Sequence, residues 1–294
     1  MKKLLLLLIL LFVSPAQAEP INIVVPVTAG GGLDIMARNL SSLLAEQGID
    51  SIVTNHIGGD GEVARDFVSK TKNNVIMIGG NTHWIVTDFM NRRENRYLND
   101  MIIIGPIFYS PYTFLTSPKG FKSLDQLIQT AKSEKVNCGV VTTRSKLDLL
   151  LMNEEYGTKF IPVPYKGTVN VVPDLVSEAI TCVYNSVGGI VQLVKTGRIK
   201  ALGGNQLMAV DSVVDKSLFP NIQMRQWIGF ALPAKGNLIQ NKTIVDILNN
   251  FSKNPEKIKS STDSGYFIAV PSNDTKKLLE DEFKQLLKLD ITEK

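Results

Sequence analysis

The sequence contains 294 residues with 44% apolar side chains, and 32 basic against 28 acidic residues give it a formal charge of +4. Acids and bases are interspersed, so the chain lacks the clustered basic surface of a nucleic-acid-binding protein, and no nucleic-acid partner is expected. Two histidines and two cysteines, without a metal-ligand spacing, offer little for a metal site, a cofactor or catalysis.

The first eighteen residues have the layout of a secretory signal peptide. Lys2 and Lys3 form a charged start, residues 4–13 are an unbroken apolar run, and residues 16–18 read Ala-Gln-Ala, a small-residue cleavage site. The run is shorter than the roughly 20 residues that span a bilayer, which disfavours the alternative of an uncleaved membrane anchor. We expect export to the periplasm and cleavage after Ala18.

Short β-branched runs that lead into longer helical patterns are typical of βα units, which build parallel sheets. The first strand is predicted at residues 21–25, before the glycine-rich residues 28–32 and a helix. Further strands are predicted at residues 51–54 and 75–78, with a helix at residues 62–70 between them. These elements make one α/β unit.

A second set of alternating elements follows residue 118. Strands are predicted at residues 136–141, 160–163 and 180–184, with helices near residues 124–128, 147–151 and 169–177. A returning strand at residues 227–233 then precedes helices at residues 241–251 and 275–289. We expect the return to pack on the first unit.

The predicted fold class is therefore α/β, with two lobes that are each a mainly parallel sheet flanked by helices. Residues 1–18 are the signal peptide, residues 19–118 and 227–294 form a discontinuous first lobe, and residues 119–226 form the second lobe. No low-complexity linker separates the lobes, so crossing strands are expected to join them as a hinge.

The glycine-rich turn at Gly30, Gly31 and Gly32 lies between a strand and a helix. Bare backbone N–H groups converge there, and the helix dipole favours a negative ligand group. The turn lacks the Lys-Ser or Lys-Thr of a Walker loop and the spacing of a dinucleotide fold. An anion cradle and a purely structural turn both remain open, and Asp34 is expected to cap the helix.

Five motifs occur in order along the chain. They are Ile-Val-Val-Pro-Val-Thr-Ala-Gly-Gly-Gly-Leu-Asp (23–34), Asn-His-Ile-Gly-Gly-Asp-Gly (55–61), Val-Pro-Tyr-Lys-Gly (163–167), Lys-Thr-Gly-Arg-Ile-Lys-Ala-Leu (195–202) and Trp-Ile-Gly-Phe-Ala-Leu-Pro-Ala (227–234). In this order they resemble the periplasmic substrate-binding proteins of tripartite tricarboxylate transporters, the Bug family. The resemblance covers nearly the whole chain after the signal peptide.

The resemblance implies a Venus-flytrap fold, typical of periplasmic binding proteins, that closes on an acidic metabolite and presents it to a membrane permease. In this family, backbone amides of two loops hold the ligand carboxylate. The first loop corresponds to Thr28, Ala29, Gly31, Gly32 and Leu33. The second corresponds to Thr142, Thr143, Arg144 and Ser145, where hydroxyls and a guanidinium replace the family's glycines.

Arg144 leaves two interpretations open. An Arg at a helix start is mismatched with the helix dipole, so it either grips a bound anion in a bidentate manner or turns to solvent. Leu33 and Val27 also replace the family's usual residues, so the resemblance does not transfer the identity of the ligand.

Three further pairs end predicted strands, where ligands of α/β sheets gather. These candidate ligand contacts are Asn81 and Thr82, Tyr165 and Lys166, and Asn185 and Ser186. Helix capping is the alternative for the first pair, lobe closure for Lys166, and a turn role for Asn185. Trp227 either floors the cleft or lies in the core.

Cys138 and Cys182 lie near the ends of predicted strands, in a compartment that permits disulfides. A disulfide and a pair of buried free thiols both remain open.

We therefore predict a monomeric solute-binding protein, without metal or cofactor, rather than an enzyme. Its partners would be a small organic acid and the permease subunits of a tripartite tricarboxylate-type transporter. Three alternatives remain: a sensor that signals to a membrane kinase, a family member that binds another kind of solute, and a periplasmic hydrolase with an unrecognised Ser and Asp.

Overall fold

The computed structural model describes residues 19–72, 74–95, 97–188, 190–202, 226–236, 238–251, 253, 263, 265–269, 272 and 274–289. The predicted signal peptide lies outside these residues. In the described part of the chain, no helix has both the length and the apolar character needed to cross a bilayer. The described elements form two sheets flanked by helices, which confirms the predicted α/β class. Both sheets are mixed rather than mainly parallel, because the strands that cross between the lobes and return pair antiparallel.

The first sheet has six strands. They are β1 (Ile21–Val25), β2 (Ser51–Asn55), β3 (Val75–Gly80), β4 (Met101–Tyr109), β10 (Trp227–Pro233) and β11 (Phe267–Ile268), in the order β11-β4-β10-β3-β1-β2. β1 pairs in parallel with β2 and β3, whereas β10 is antiparallel to its neighbours. β1 is apolar throughout its second half because helices cover both faces of the sheet: Ile23 and Val25 face one core and Val24 the other.

Helices cover this sheet on both sides. They are α1 (Gly32–Glu46), α2 (Glu62–Lys70), a π-helical turn (Thr82–Val86) that continues into α3 (Thr87–Met90), α4 (Tyr97–Asp100), α9 (Leu238–Phe251) and α10 (Thr275–Leu286). Met36, Leu40 and Leu43 recur at helical spacing along α1, so they form one apolar stripe that is buried against the sheet.

The second sheet has five strands. They are β5 (Tyr112–Thr116), β6 (Val136–Val140), β7 (Phe160–Pro164), β8 (Cys182–Ser186) and β9 (Lys200–Ala201), in the order β7-β6-β8-β5-β9. Its helices are α5 (Leu124–Ser133), α6 (Thr143–Tyr156), α7 (Thr168–Val176) and α8 (Val191–Lys195). Cys138 and Cys182 are register partners on β6 and β8, and both are buried free thiols.

The chain crosses between the lobes at Ser110 and Pro111. The boundary expected after residue 118 is wrong, because β5 pairs with β8 and β9 in the second sheet. Ser110 N–H donates to the carbonyl of Gln226 at 3.1 Å, where the chain enters β10. Two crossing segments therefore run side by side, as a hinge requires.

The lobes also touch away from the crossings, through α6. Leu147 of α6 lies in the same buried cluster as Trp84 and Trp227 of the first lobe, and Leu151 packs against that cluster. A cleft remains between the lobes, beside the start of α6.

Candidate functional site

The cleft and its mouth span about 580 Å³ of space, which includes open solvent. Its walls are strand-to-helix turns of both lobes and the crossing segments. The lining residues are Val27, Thr28, Gly31, Gly32, Leu33, His83, Tyr112, Val141, Thr142, Gly167, Thr168, Asn185, Ser186, Gly188, Gln226, Ile228 and Tyr266. None of these described residues is Asp, Glu, Lys or Arg, so a bound anion would be stabilised by neutral donors and helix dipoles.

The first turn of α1 presents bare amides to this cleft. Gly31 is the residue before the helix and makes no side-chain cap, and its own N–H donates to Thr28 O at 3.2 Å. The amides of Gly32 and Leu33 have no acceptor within the described residues. A Cβ on Gly32 would lie 1.9 Å from Tyr266 Oη and 2.9 Å from Gly188 O, so this close approach requires glycine.

Asp34 holds that turn in place. Its carboxylate accepts from Gly30 N–H at 2.9 Å, from Arg38 Nε at 2.9 Å and from Asn55 Nδ2 at 3.0 Å. Burial raises the pKa of Asp34, but these hydrogen bonds outweigh burial and the pKa lies below its ordinary value. Asp34 therefore stays charged and pins the glycine turn. Ala29, on the same turn, is exposed and does not line the cleft.

The start of α6 is already occupied. Thr142 and Ser145 form a capping box, with Ser145 N–H donating to Thr142 Oγ1 at 3.1 Å. Thr143 N–H donates to the carboxylate of Asp60, which belongs to the first lobe. The Thr143 amide, which was expected to donate to a ligand carboxylate, thus donates to a carboxylate of the protein itself. Of the four residues predicted here, only Thr142 lines the cleft.

Arg144 neither faces the cleft nor turns to solvent. Its side chain is 3% exposed, and Nε donates to Asp148 at 2.7 Å one helical turn away. Its guanidinium also lies 5.9 Å from the centroid of the Tyr112 ring. Burial lowers the pKa of Arg144, but the Asp148 charge and hydrogen bond raise it above the ordinary value. Both interpretations of Arg144 are therefore wrong.

The second lobe contributes Asn185 and Ser186 from the end of β8, as predicted, and Thr168 from the start of α7. Asn185 Nδ2 donates to Thr168 Oγ1 at 3.1 Å. Tyr165 and Lys166 do not line the cleft, because the Tyr165 hydroxyl donates to Asp174 at 2.6 Å and Lys166 is exposed.

Asn81 and Thr82 are buried behind the cleft wall rather than in it. Asn81 Nδ2 donates to Glu282 at 3.3 Å, and Thr82 Oγ1 donates to Gln226 Oε1 at 2.6 Å. Trp227 is a core residue, since it packs 5.2 Å from Trp84 and donates from Nε1 to Glu282 at 3.0 Å. It does not line the cleft.

His83 lines the cleft, whereas its predicted neighbours Asn81 and Thr82 do not. Its Nδ1 accepts from Gly80 N–H at 3.1 Å, and its Nε2 is buried without a partner in the described chain. Burial lowers the pKa of His83 below its ordinary value. Thr28 Oγ1 is likewise buried and lacks a partner among the described residues.

Two tyrosines complete the wall, and sequence reasoning missed both. The Tyr112 hydroxyl lies 3.0 Å from Thr142 Oγ1, and Tyr266 approaches both Gly32 and Gly188. Burial raises the pKa of both phenols, so they remain protonated donors. Tyr112 begins a strand that was assigned to the other lobe, and Tyr266 follows a long connection without a motif.

Comparison with known families gives one match over most of the chain. A family model described as the tripartite tricarboxylate transporter family receptor matches residues 35–291. A UPF0065 protein from the tcbD-tcbE intergenic region of Pseudomonas sp. strain P51 is 25% identical over 246 residues, which cover 79% of this chain and 72% of that protein.

Solved structures share the fold. R. palustris Rpa4515, solved with adipate, has a TM-score of 0.79 at 20% identity and covers 92% of this chain and 95% of its own. MatC from Rhodopseudomonas palustris, solved with bound malate, has a TM-score of 0.71 at 17% identity and covers 91% of this chain and 97% of its own. At these identities the likeness establishes the two-lobed fold.

Proposed function

Because the chain belongs to the tripartite tricarboxylate transporter receptor family, we propose that it binds a small carboxylate-bearing solute in the cleft and delivers it to the membrane subunits of such a transporter. The family consists of solute-binding receptors, so we infer binding without turnover. The predicted signal peptide supports a periplasmic location, and one monomer supplies both walls of the cleft.

One observation carries the proposal: Gly32 and Leu33 line the cleft at a helix N-terminus, and their amides have no acceptor among the described residues. Because the aligned peptide dipoles favour negative charge there, a carboxylate can satisfy both amides without a cationic side chain. The buried Thr28 hydroxyl, also without a described partner, lies on the same turn.

The solved relatives support an acid as the solute, since one holds adipate and another malate. We propose seven of the predicted contacts as ligand contacts because they line the cleft: Thr28, Gly31, Gly32, Leu33, Thr142, Asn185 and Ser186. Residues 19–110 with 226–289, and residues 111–202, are the two bodies that we propose to open and close.

Native mass spectrometry of gently purified protein tests this function. We expect a co-purified organic acid, and calorimetry with a panel of short mono- and dicarboxylates should give saturable binding. The proposal would be contradicted if a sugar or an amine co-purified and the protein had no affinity for any acid of the panel. Turnover of an ester or phosphate panel would contradict the inference of binding without chemistry.

A further inference from the structure

His83 lines the cleft and carries one buried hydrogen-bond donor without a partner in the described chain. Its side chain is 2% exposed and lines the cleft. Because Gly80 N–H donates to Nδ1 at 3.1 Å, this nitrogen carries no proton, and the neutral ring must carry its proton on Nε2. Nε2 is buried and finds no acceptor in the described part of the chain.

An unpaired buried donor is unfavourable, and native proteins retain few of them. Burial lowers the pKa of His83, so the ring is neutral near pH 7 and the donor carries no charge. A ligand oxygen in the cleft would satisfy this donor.

The surroundings of His83 select the kind of oxygen. The ring packs so closely on Gly61 that a Cβ there would lie 2.7 Å from His83 Cδ2, and the neighbouring residue is Asp60. The Asp60 carboxylate accepts a hydrogen bond from the Thr143 amide at the start of α6. A second ligand carboxylate beside His83 would meet this negative charge, because Arg65, the other charge that acts on the ring, is already paired with Asp88 through two hydrogen bonds. It would also find no cationic side chain among the described lining residues.

We propose that His83 determines specificity by donating from Nε2 to an uncharged oxygen, a keto or hydroxyl group, of an acid whose carboxylate lies on the Gly32 and Leu33 amides. The inference rests on the proposed function and narrows its solute class. The preferred ligand is then an oxo or hydroxy monocarboxylate rather than a diacid.

Three acids of similar shape test this preference by calorimetry. Levulinate is succinate with one carboxylate oxygen replaced by a methyl group, and pentanoate lacks the keto oxygen. The next two longer homologues of each acid vary the distance between the two ends. At the chain length that binds most tightly, we expect the keto acid to bind about tenfold more tightly than the alkanoate, which is the scale of one hydrogen bond. It should also bind more tightly than the diacid.

Two substitutions of His83 separate recognition from a structural role. His83→Asn keeps an acceptor near Nδ1 for Gly80 N–H but removes the donor at Nε2, whereas His83→Gln places an amide donor near Nε2. We expect the Asn variant to lose the tenfold preference for the keto acid and the Gln variant to retain part of it. If His83 only holds Gly80, the Asn variant will keep the preference. His56→Asn is the matched control, because His56 does not line the cleft.

NMR of wild-type protein labelled at its two histidines needs no variant. The keto acid should shift the Nε2–H resonance of His83 and leave that of His56 unchanged, whereas an unmoved His83 resonance in the bound state would overturn the inference. Equal or tighter binding of the diacid would also overturn it. If no acid binds at all, the proposed function fails with it; if acids bind without this preference, only the role of His83 fails.

Discussion

The starts of α1 and α6 are both strand-to-helix turns at the cleft, yet they are used differently. The α1 turn is built from glycines, and its Gly32 and Leu33 amides are left without acceptors in the described structure. The α6 turn is closed by the capping box of Thr142 and Ser145 and by the Asp60 carboxylate from the other lobe. A helix N-terminus therefore serves a ligand only where the chain itself does not satisfy it.

The largest expected effect concerns Arg144, and it is an effect on stability. Arg144→Ala removes the ion pair between Arg144 and the buried Asp148 carboxylate, so we expect the free energy of unfolding to fall by about 3 kcal/mol. Urea denaturation measures this loss. Calorimetry on the folded fraction should show nearly unchanged affinity for an acid, and a large loss of affinity without a loss of stability would place α6 back in the ligand site.

At the other turn, Gly32→Ala should abolish tight binding. The added Cβ would clash with Tyr266 Oη and with Gly188 O across the cleft, so the first turn of α1 could not reach its closed position. We expect affinity to fall by about a hundredfold, the scale of a steric clash in a packed site. Calorimetry with the co-purified acid measures the change.

Gly48→Ala is the matched control for that substitution. Gly48 has a left-handed backbone that disfavours alanine, with φ +72°, and a Cβ there meets nothing within 4 Å. It should lower stability while leaving affinity unchanged. Equal losses of affinity in the two variants would show that the α1 turn has no special role.

Varying the pH acts on Glu282, which lies beside Trp227 and Asn81 in the first lobe. Burial raises the pKa of Glu282 to about 7, although hydrogen bonds from Trp227 and Asn81 lower it in part. The folded protein therefore holds this proton more tightly than the unfolded chain, and the contribution of Glu282 to stability should fall as pH rises from about 4.5 to about 7. The Glu282→Gln variant should lose this component of the pH dependence, on the order of 2 kcal/mol.

Asp34 does not titrate in that interval, because its pKa lies below the ordinary value. Thermal melts of the wild type and of Glu282→Gln between pH 5 and pH 8 therefore isolate the contribution of Glu282, because the contribution of His83, whose pKa is lowered, is present in both proteins. An unchanged pH dependence in Glu282→Gln would contradict the assignment of this stability change to Glu282.

The smallest effect is a change of preference at the α6 turn. Asp60→Asn removes the negative charge of the carboxylate that accepts from the Thr143 amide. Asparagine tolerates the left-handed φ of +48° found at Asp60. A diacid should then gain about tenfold relative to the matching keto acid, the scale of removing one nearby like charge. Asp66→Asn removes the same charge from the outer face of α2 and should change nothing. An unchanged ratio in Asp60→Asn would show that Asp60 does not set the charge preference.

Much of the fold could be predicted because local sequence patterns determine its secondary structure. The β-branched runs and the apolar helical spacings predict the order of elements, and the five motifs predict the family, which is confirmed. β5 was assigned to the wrong lobe because the turn at residues 117–118 resembles a boundary. The register that places Tyr112–Thr116 beside β8 involves residues about 70 positions away.

The site was less predictable for the same reason. The glycine turn of α1 is a local signal, and four of its five predicted residues line the cleft. Nothing near Arg144 in the sequence reveals that Asp148 would bind it, and nothing near Asp60 reveals the Thr143 amide, 83 positions away. His83 directly follows the predicted contacts Asn81 and Thr82. The sequence therefore indicates the right segment, but the π-helical turn places His83, rather than those two residues, in the cleft wall.

A crystal structure of the protein with its bound acid tests the central claim most directly. We predict a ligand carboxylate oxygen within hydrogen-bond distance of the Gly32 and Leu33 amides, with the Asp60 carboxylate still on the Thr143 amide. A ligand carboxylate on Thr143, with Asp60 displaced and the α1 amides facing only water, would contradict it.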